Sequence, residues 1–382
     1  MKNVKITVVS LFLIIAILIA CVPMVLGTAQ PERRLGCWWW YKEDGNNAET
    51  RQMYLDFLEQ GNVNEIYYYN YTALANGEFE EIHTFVEDAM AHGMRVAILF
   101  DDPDAAKDPD HTYMLRLKDG YLAYKEQYPN DALYGLHFDI EPGFTQEILQ
   151  AYADNFITKV QDFRKAGIIC EIDVACGWGT PGAEVTLDGV TGIYNIIAQN
   201  CDTMALMSYR DTAEGILAFG EKAYNACVAN GCDVLFCAET GDYGEGDYVE
   251  FSGETKEYMY GELEKVYAEL DSRNLDIDYG MAIHQHRTFY NMEGDLPSKD
   301  LKINKAEALV DGNNVTVNIS ASGGSGDYTY FYYLLGNGKV IDSEIYSDNS
   351  QATLSAESFD GCFLRVYVQD SQRKRVGYTV EL

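Results

Sequence analysis

Across residues 34–292, short apolar runs alternate with stretches whose apolar positions recur every three or four residues. The runs are 35–41, 63–69, 94–100, 134–140, 168–175, 202–208, 233–238 and 277–284. Each has the length of a strand, and their near-continuous apolar character fits parallel strands covered on both faces. Between them, 49–60, 79–92, 145–166, 213–229 and 255–273 read as helices. In 145–166, Ile148, Tyr152, Phe156, Val160 and Phe163 fall on one helical stripe. Gly61, Gly93, Gly167 and Gly231 follow four of these helices, where a left-handed C-cap is expected.

Eight strand-and-helix units in this order predict an α/β fold, a (β/α)8 barrel of the TIM type over 30–293. An open doubly wound sheet is the alternative. The eighth run is followed only by 287–292, so the last helix should be short or missing. A polar stretch, 294–302, then reads as a linker. Beyond it, 303–382 alternates polar and apolar residues, as in 314–319, 329–335 and 365–370, between Gly, Asn and Asp turns. That pattern predicts a small all-β immunoglobulin-like sandwich. The stretch 323–333 followed by 365–370 resembles bacterial surface modules appended to exported enzymes, for which spacing, adhesion or glycan contact is the expected job.

At the other end, Lys2 and Lys5 precede an apolar run from Ile6 to about Leu26. A basic flank before such a run marks 1–29 as an export signal, with an uncleaved membrane anchor or a lipoprotein cysteine at Cys21 as alternatives. The expected location is therefore secreted, or attached to the membrane outside the cytoplasm of a bacterial cell. A net charge of −32 repels phosphate backbones, which argues against a nucleic-acid partner. Nine cysteines without paired CxxC spacing read as buried free thiols, with one disulfide involving Cys227 or Cys232 left open.

Loops at the C-terminal ends of barrel strands build active sites, so the polar residues ending each run carry the chemistry. The first run ends in Trp38, Trp39 and Trp40, and the third in Asp101. The fourth carries His137, Asp139 and Glu141, and the fifth leads to Trp178. The sixth leads to Tyr209 and Asp211, the seventh to Glu239, and the eighth to His284 and His286. Strand alternation places Asp139 and Glu141 on one side, where neighbouring carboxylates raise each other's proton affinity and can hold an acid near neutral pH. Of the three tryptophans at most two share a face, and one of those is expected to stack on a sugar ring. His284 and His286 could join a carboxylate in a metal site, but hydrogen bonding at a barrel rim is the preferred reading, and no metal or cofactor is expected. No phosphate loop or GxSxG elbow is present.

The segment Tyr134-Gly135-Leu136-His137-Phe138-Asp139-Ile140-Glu141 resembles the strand-four signature of family 18 glycoside hydrolases, the chitinase-like barrels. The resemblance implies that Glu141 is the acid, Asp139 the assisting aspartate and Gly135 the signature glycine. Met207-Ser208-Tyr209 resembles the family's strand-six motif, whose tyrosine positions substrate. Tyr134 and His137 stand where the family has aspartates, which weakens any expectation of an N-acetylated substrate. Glu141 and Glu239 are also similar in position to the paired glutamates of clan-A glycosidases, acid/base on strand four and nucleophile on strand seven. A polysaccharide or oligosaccharide is the expected partner, with membrane or cell-wall attachment through the N-terminus or the C-terminal module.

These observations lead to an exported glycoside hydrolase as the expected function, with Glu141 as general acid and Asp139 or Glu239 as its partner carboxylate. Tyr209, Asp211, His284, His286, Trp38, Trp40, Trp178, Asp101 and His137 are the candidates for holding substrate. A catalytically silent glycan-binding module on the same fold is the first alternative, and a metal-dependent deacetylase or amidase the second.

Overall fold

The computed structural model describes residues 33–382 except 245, 247, 297, 298, 325–327, 337, 338 and 371–374. The export segment and Cys21 lie outside the described residues. Eight strands form a closed parallel barrel: β1 (Arg34–Trp39), β2 (Glu65–Tyr69), β3 (Arg95–Phe100), β4 (Leu133–Phe138), β5 (Ile169–Ala175), β6 (Thr203–Met207), β7 (Asp233–Glu239) and β8 (Tyr279–His284). Neighbours follow chain order, and β1 pairs with both β2 and β8 to close the ring. The barrel, not the open sheet, is the architecture. Its last helix is a short one, His286–Asn291.

Alternation along each strand divides the core in two. Outward-facing residues such as Trp39, Ile66, Tyr68, Ile98, Phe138 and Ile172 pack under the helices. Inward-facing Trp38, Tyr67, Ala97, Leu99, Ala205, Leu235, Cys237 and Ala282 fill the barrel axis. A side chain at Gly36 would stand 2.2 Å from the Tyr67 hydroxyl, so the glycine clears the space that the Tyr67 ring occupies.

The glycine caps hold at Gly93, Gly167 and Gly231, each with positive φ. Gly61 differs, with φ −75°; its neighbour Asn62 takes the left-handed conformation instead. A Cβ on Gly61 would lie 2.7 Å from the Tyr260 hydroxyl, which donates to the Gly61 carbonyl. Close approach, not φ, accounts for glycine there. The helical stripe over 145–166 is also modified, with a π turn at Ala153–Ile157 between Gln146–Tyr152 and Thr158–Lys165.

Beyond the barrel, β9 (Lys299–Asp311), β10 (Asn314–Gly324), β11 (Thr329–Gly336), β12 (Lys339–Ser347), β13 (Gln351–Ser355), β14 (Cys362–Gln369) and β15 (Arg375–Glu381) form two antiparallel sheets. Their orders are β9-β10-β13 and β12-β11-β14-β15. Val315, Val317, Tyr330, Tyr332, Leu364 and Val366 meet between them. β9 begins at Lys299, so part of the stretch read as linker is already paired with β10. The eight described cysteines are buried and unbridged; Cys201 Sγ lies 3.6 Å from Cys232 Sγ.

Candidate active site

The axis of the barrel is charged at its lower end. Arg34 on β1 reaches Glu65 on β2 at 2.8 Å and Glu171 on β5 at 2.9 Å. Arg95 on β3 closes on the same Glu65. Tyr134 donates to Glu171 at 2.9 Å. One step higher, His137 bridges two carboxylates, with Nδ1 3.1 Å from Glu171 and Nε2 2.9 Å from Asp173. Trp38 donates its indole proton to the other oxygen of Asp173 at 3.2 Å. Carboxylates accept and do not donate, so both ring nitrogens of His137 must carry protons. His137 is an imidazolium, its pKa pushed up to about 10 because Asp173 and then Glu171 outweigh the cost of burial. Glu171 is correspondingly lowered to about 2, chiefly by His137 and Arg34 acting against its burial. Arg34, Arg95 and His137 thus balance Glu65, Glu171 and Asp173, three charges against three.

Immediately above this balanced ladder the mouth opens. Asp139 continues β4 past its end, its amide bonded to the Phe100 carbonyl at 2.9 Å. Ile140 is fully buried on the outer side, so Asp139 and Glu141 face the mouth together as alternation predicts. Glu141 is exposed there. Asp139 is half-buried, and its Oδ1 is shut off from solvent with no hydrogen-bond partner among the described residues. Burial, then the charges of Asp173 and Glu141, hold the Asp139 carboxyl well above the usual carboxylate range. His137 pulls the other way, but its charge is already met by Glu171 and Asp173.

Across the mouth, Glu239 ends β7 with both oxygens engaged. Oε1 accepts from the Gly241 amide and Oε2 meets His284 Nδ1, each at 2.7 Å. Trp40 Nε1 lies 2.7 Å from His284 Nε2. An indole nitrogen only donates, so His284 Nε2 must accept and Nδ1 must carry the proton given to Glu239. Trp40 therefore sets the tautomer of His284. We expect ¹⁵N spectra of the protein to show the Nδ1–H form, and Trp40→Phe to admit the Nε2–H form. An Nε2–H signal in the unaltered protein would refute this arrangement. Tyr69 rests against Trp40 with ring centres 5.5 Å apart, and Tyr209 and Tyr243 approach His284 at 6.3 and 6.2 Å. Asp101 hydrogen-bonds Tyr69, and burial raises its pKa.

The structure thus gathers Trp40, Asp101, Asp139, Glu141, Tyr209, Glu239 and His284, and parts them from Trp38, His137, Trp178 and His286. Trp38 is 1% exposed within the axis and serves Asp173, so it cannot stack on a ligand. His137 lies below the mouth, stacked on Tyr67 at 3.8 Å. Trp178 is buried outside the strands, near Tyr152. His286 does not share a face with His284, because β8 stops at His284 and a helix begins at His286. It stacks on Trp39 at 4.4 Å and bonds Asp44, which removes the paired-histidine metal site. Asp211 is half-buried, its charge acting on Tyr258 of the helix Lys256–Ser272. Arg34, Glu65, Glu171 and Asp173 escaped notice in the sequence. The signal was present in Glu171 and Asp173, charged residues two apart inside an apolar run.

No protein-family model matches the chain, and no curated protein matches it in sequence. Among solved structures, a chitinase from Bacteroides thetaiotaomicron is 11% identical with a TM-score of 0.44, covering 67% of this chain and 90% of its own. A GH18 chitinase from Pseudoalteromonas aurantia is 10% identical with a TM-score of 0.45, covering 66% of this chain and 94% of its own. A GH39 enzyme from Xanthomonas axonopodis pv. citri is 10% identical with a TM-score of 0.45, covering 92% of each chain. These likenesses are distant ones. What this barrel does has to be read from its own side chains.

Proposed function

We propose that the chain is a glycoside hydrolase whose proton donor is the Asp139–Glu141 pair. One observation carries the reading: a half-buried carboxyl with an oxygen left unpartnered among the described residues, its proton affinity raised by burial, beside an exposed carboxyl group on the same strand face. Breaking a glycosidic bond requires a proton on the departing oxygen, and a pair sharing one proton supplies it near neutral pH. Asp139 is the store, and Glu141, nearer solvent, is the group that meets substrate. A sugar lying over Glu141 strips its water and raises its proton affinity, drawing the proton outward. Glu239 is the second carboxylate, oriented by Gly241 and His284, and Tyr209 and Trp40 border the bound ring. Export and attachment to the cell envelope belong to the same proposal, through 1–29 and the C-terminal sandwich.

A panel of polysaccharides incubated with the protein and with Glu141→Gln tests the reading. Release of reducing ends by the former and not the latter supports it. A chain that binds a glycan but cleaves none, with Glu141→Gln unchanged, would be the silent binding module. His137 at a family aspartate position is the observation that favours this second reading.

A further inference from the structure

The C-terminal sandwich turns one face of its sheet β12-β11-β14-β15 to the core and the other outward. Tyr332, Leu364 and Val366 belong to the core. The register puts Phe331, Tyr367 and Gly377 side by side on the outer face, with Tyr333, Arg365 and Thr379 in the next row. Two arginines lie across these rings. The guanidinium of Arg375 is 3.9 Å over the Phe331 ring and 5.7 Å from the centre of Tyr367. That of Arg365 is 5.3 Å from the same Tyr367 centre. A Cβ on Gly377 would stand 2.6 Å from the Tyr367 ring, so the glycine clears the space that the ring fills. Stacking occupies the flat side of a guanidinium and leaves its N–H edge for acceptors in its plane. Here those acceptors are neutral: Tyr367 Oη and Thr379 Oγ1 for Arg365, and Gln369 Oε1 for Arg375. Glu381, opposite Phe363, is the one carboxylate among the described residues paired on this face. The sequence adds Arg373 and Lys374 between β14 and β15. In a chain of net charge −32, this face carries the opposite sign.

We propose that this outer face binds a carboxylate-bearing polysaccharide, a chain of uronate sugars, through Arg365 and Arg375. A guanidinium fork fits a carboxylate with two parallel hydrogen bonds, and a ring beneath it holds the fork in place. Both arginines touch Tyr367, so their charges are fixed close together, as a polymer with a carboxylate on every sugar requires. Hydroxyls of Tyr333, Tyr367 and Thr379 in the same two rows serve the sugar hydroxyls. An open sheet face, unlike a pocket, accepts an extended chain. Nucleic acid fits less well, because bases stack on open aromatic rings and Phe331 is 2% exposed with Arg375 over it. The proposal gives the sandwich a ligand of its own and does not depend on what the barrel cuts.

The test is calorimetric binding of the full chain to polygalacturonate, its fully methyl-esterified form, a single-stranded oligonucleotide and phosphatidylglycerol vesicles. Polygalacturonate should bind about ten-fold or more tighter than the ester, and tighter than the oligonucleotide or the vesicles. Arg365→Gln combined with Arg375→Gln should weaken that binding about ten-fold or more. Lys305→Gln, which removes a positive charge from β9, should leave it unchanged. Arg365→Lys combined with Arg375→Lys keeps both charges and loses both forks, so it should also bind several-fold more weakly. This second pair carries the test if the glutamine pair fails to fold. Equal affinity for the acid and its ester, binding that survives the arginine substitutions, or tighter binding of the oligonucleotide or the vesicles overturns the proposal. So does a chain that binds none of the four probes. None of these outcomes touches the glycosidase reading, which the Glu141→Gln comparison decides.

Discussion

Replacing His137 with phenylalanine will destabilise the fold by about 3–5 kcal/mol, measured by equilibrium denaturation. The substitution keeps a ring against Tyr67 and takes away only the charge and its two hydrogen bonds. Glu171 retains Arg34 and Tyr134, but among the described residues Asp173 keeps only the Trp38 indole, a neutral donor, for a carboxylate that is 1% exposed. Breaking a buried pair by deleting one partner is costly because the survivor stays desolvated. The pH dependence provides an independent check. With a folded pKa of about 10 against an ordinary value of 6.5, His137 contributes its full stabilisation below about pH 6.5, lost as pH rises toward 10. Glu171, lowered to about 2, contributes above its ordinary 4.5 and loses its share as pH falls toward 2. The unaltered protein should therefore weaken between pH 7 and pH 10 by up to about 1.4 kcal/mol per unit more steeply than the phenylalanine variant. Parallel alkaline slopes in the two proteins would show that His137 is not the buried cation described above.

The second large effect concerns turnover. Glu141→Gln should lower the rate of glycan cleavage by about 10²–10⁴-fold, the usual contribution of a positioned general acid. Asp139→Asn should also be severe, but with a different signature. An asparagine cannot store the proton, so the loss should be greatest at the alkaline end of the pH–rate profile, where Glu141 alone has to be protonated. If Asp139→Asn and Glu141→Gln depress the rate equally at every pH, the storing role assigned to Asp139 is wrong. Stability offers a control: burial already disfavours the charged form of Asp139, and Asp139→Asn supplies an amide of the same shape with no charge to bury, so the fold should lose little.

Much of this architecture was legible in the sequence because a barrel strand is a local pattern. The eight apolar runs, the short last helix, and the division of Trp38 and Trp40 from Trp39 all follow from alternation within a few residues. The placement of Asp139 and Glu141 on one side follows from the same rule. What alternation cannot supply is the partner. His137 reads as an oddity in its own run, and only its pairing with Glu171 and Asp173, 34 and 36 residues on, turns it into a cation. Trp38 likewise reads as a sugar platform until Asp173, 135 residues away, is seen to hold its indole. His286 failed for a different reason, since alternation applies only while the strand lasts and β8 ends at His284. The distant contacts are set by which strands the closed ring makes neighbours, and a one-dimensional pattern does not contain that information.

The balanced ladder along the axis has a consequence for how this sequence can drift. Arg34, Glu65, Arg95, Glu171, His137 and Asp173 touch in a chain, so a change of sign at any one of them strands a neighbour away from water. Substitutions there survive in matched pairs, an acid gained for an acid lost, or a base and an acid removed together for apolar residues of equal volume. For the stability of the fold, the six positions therefore act as one unit, in which no member changes sign without cost to another.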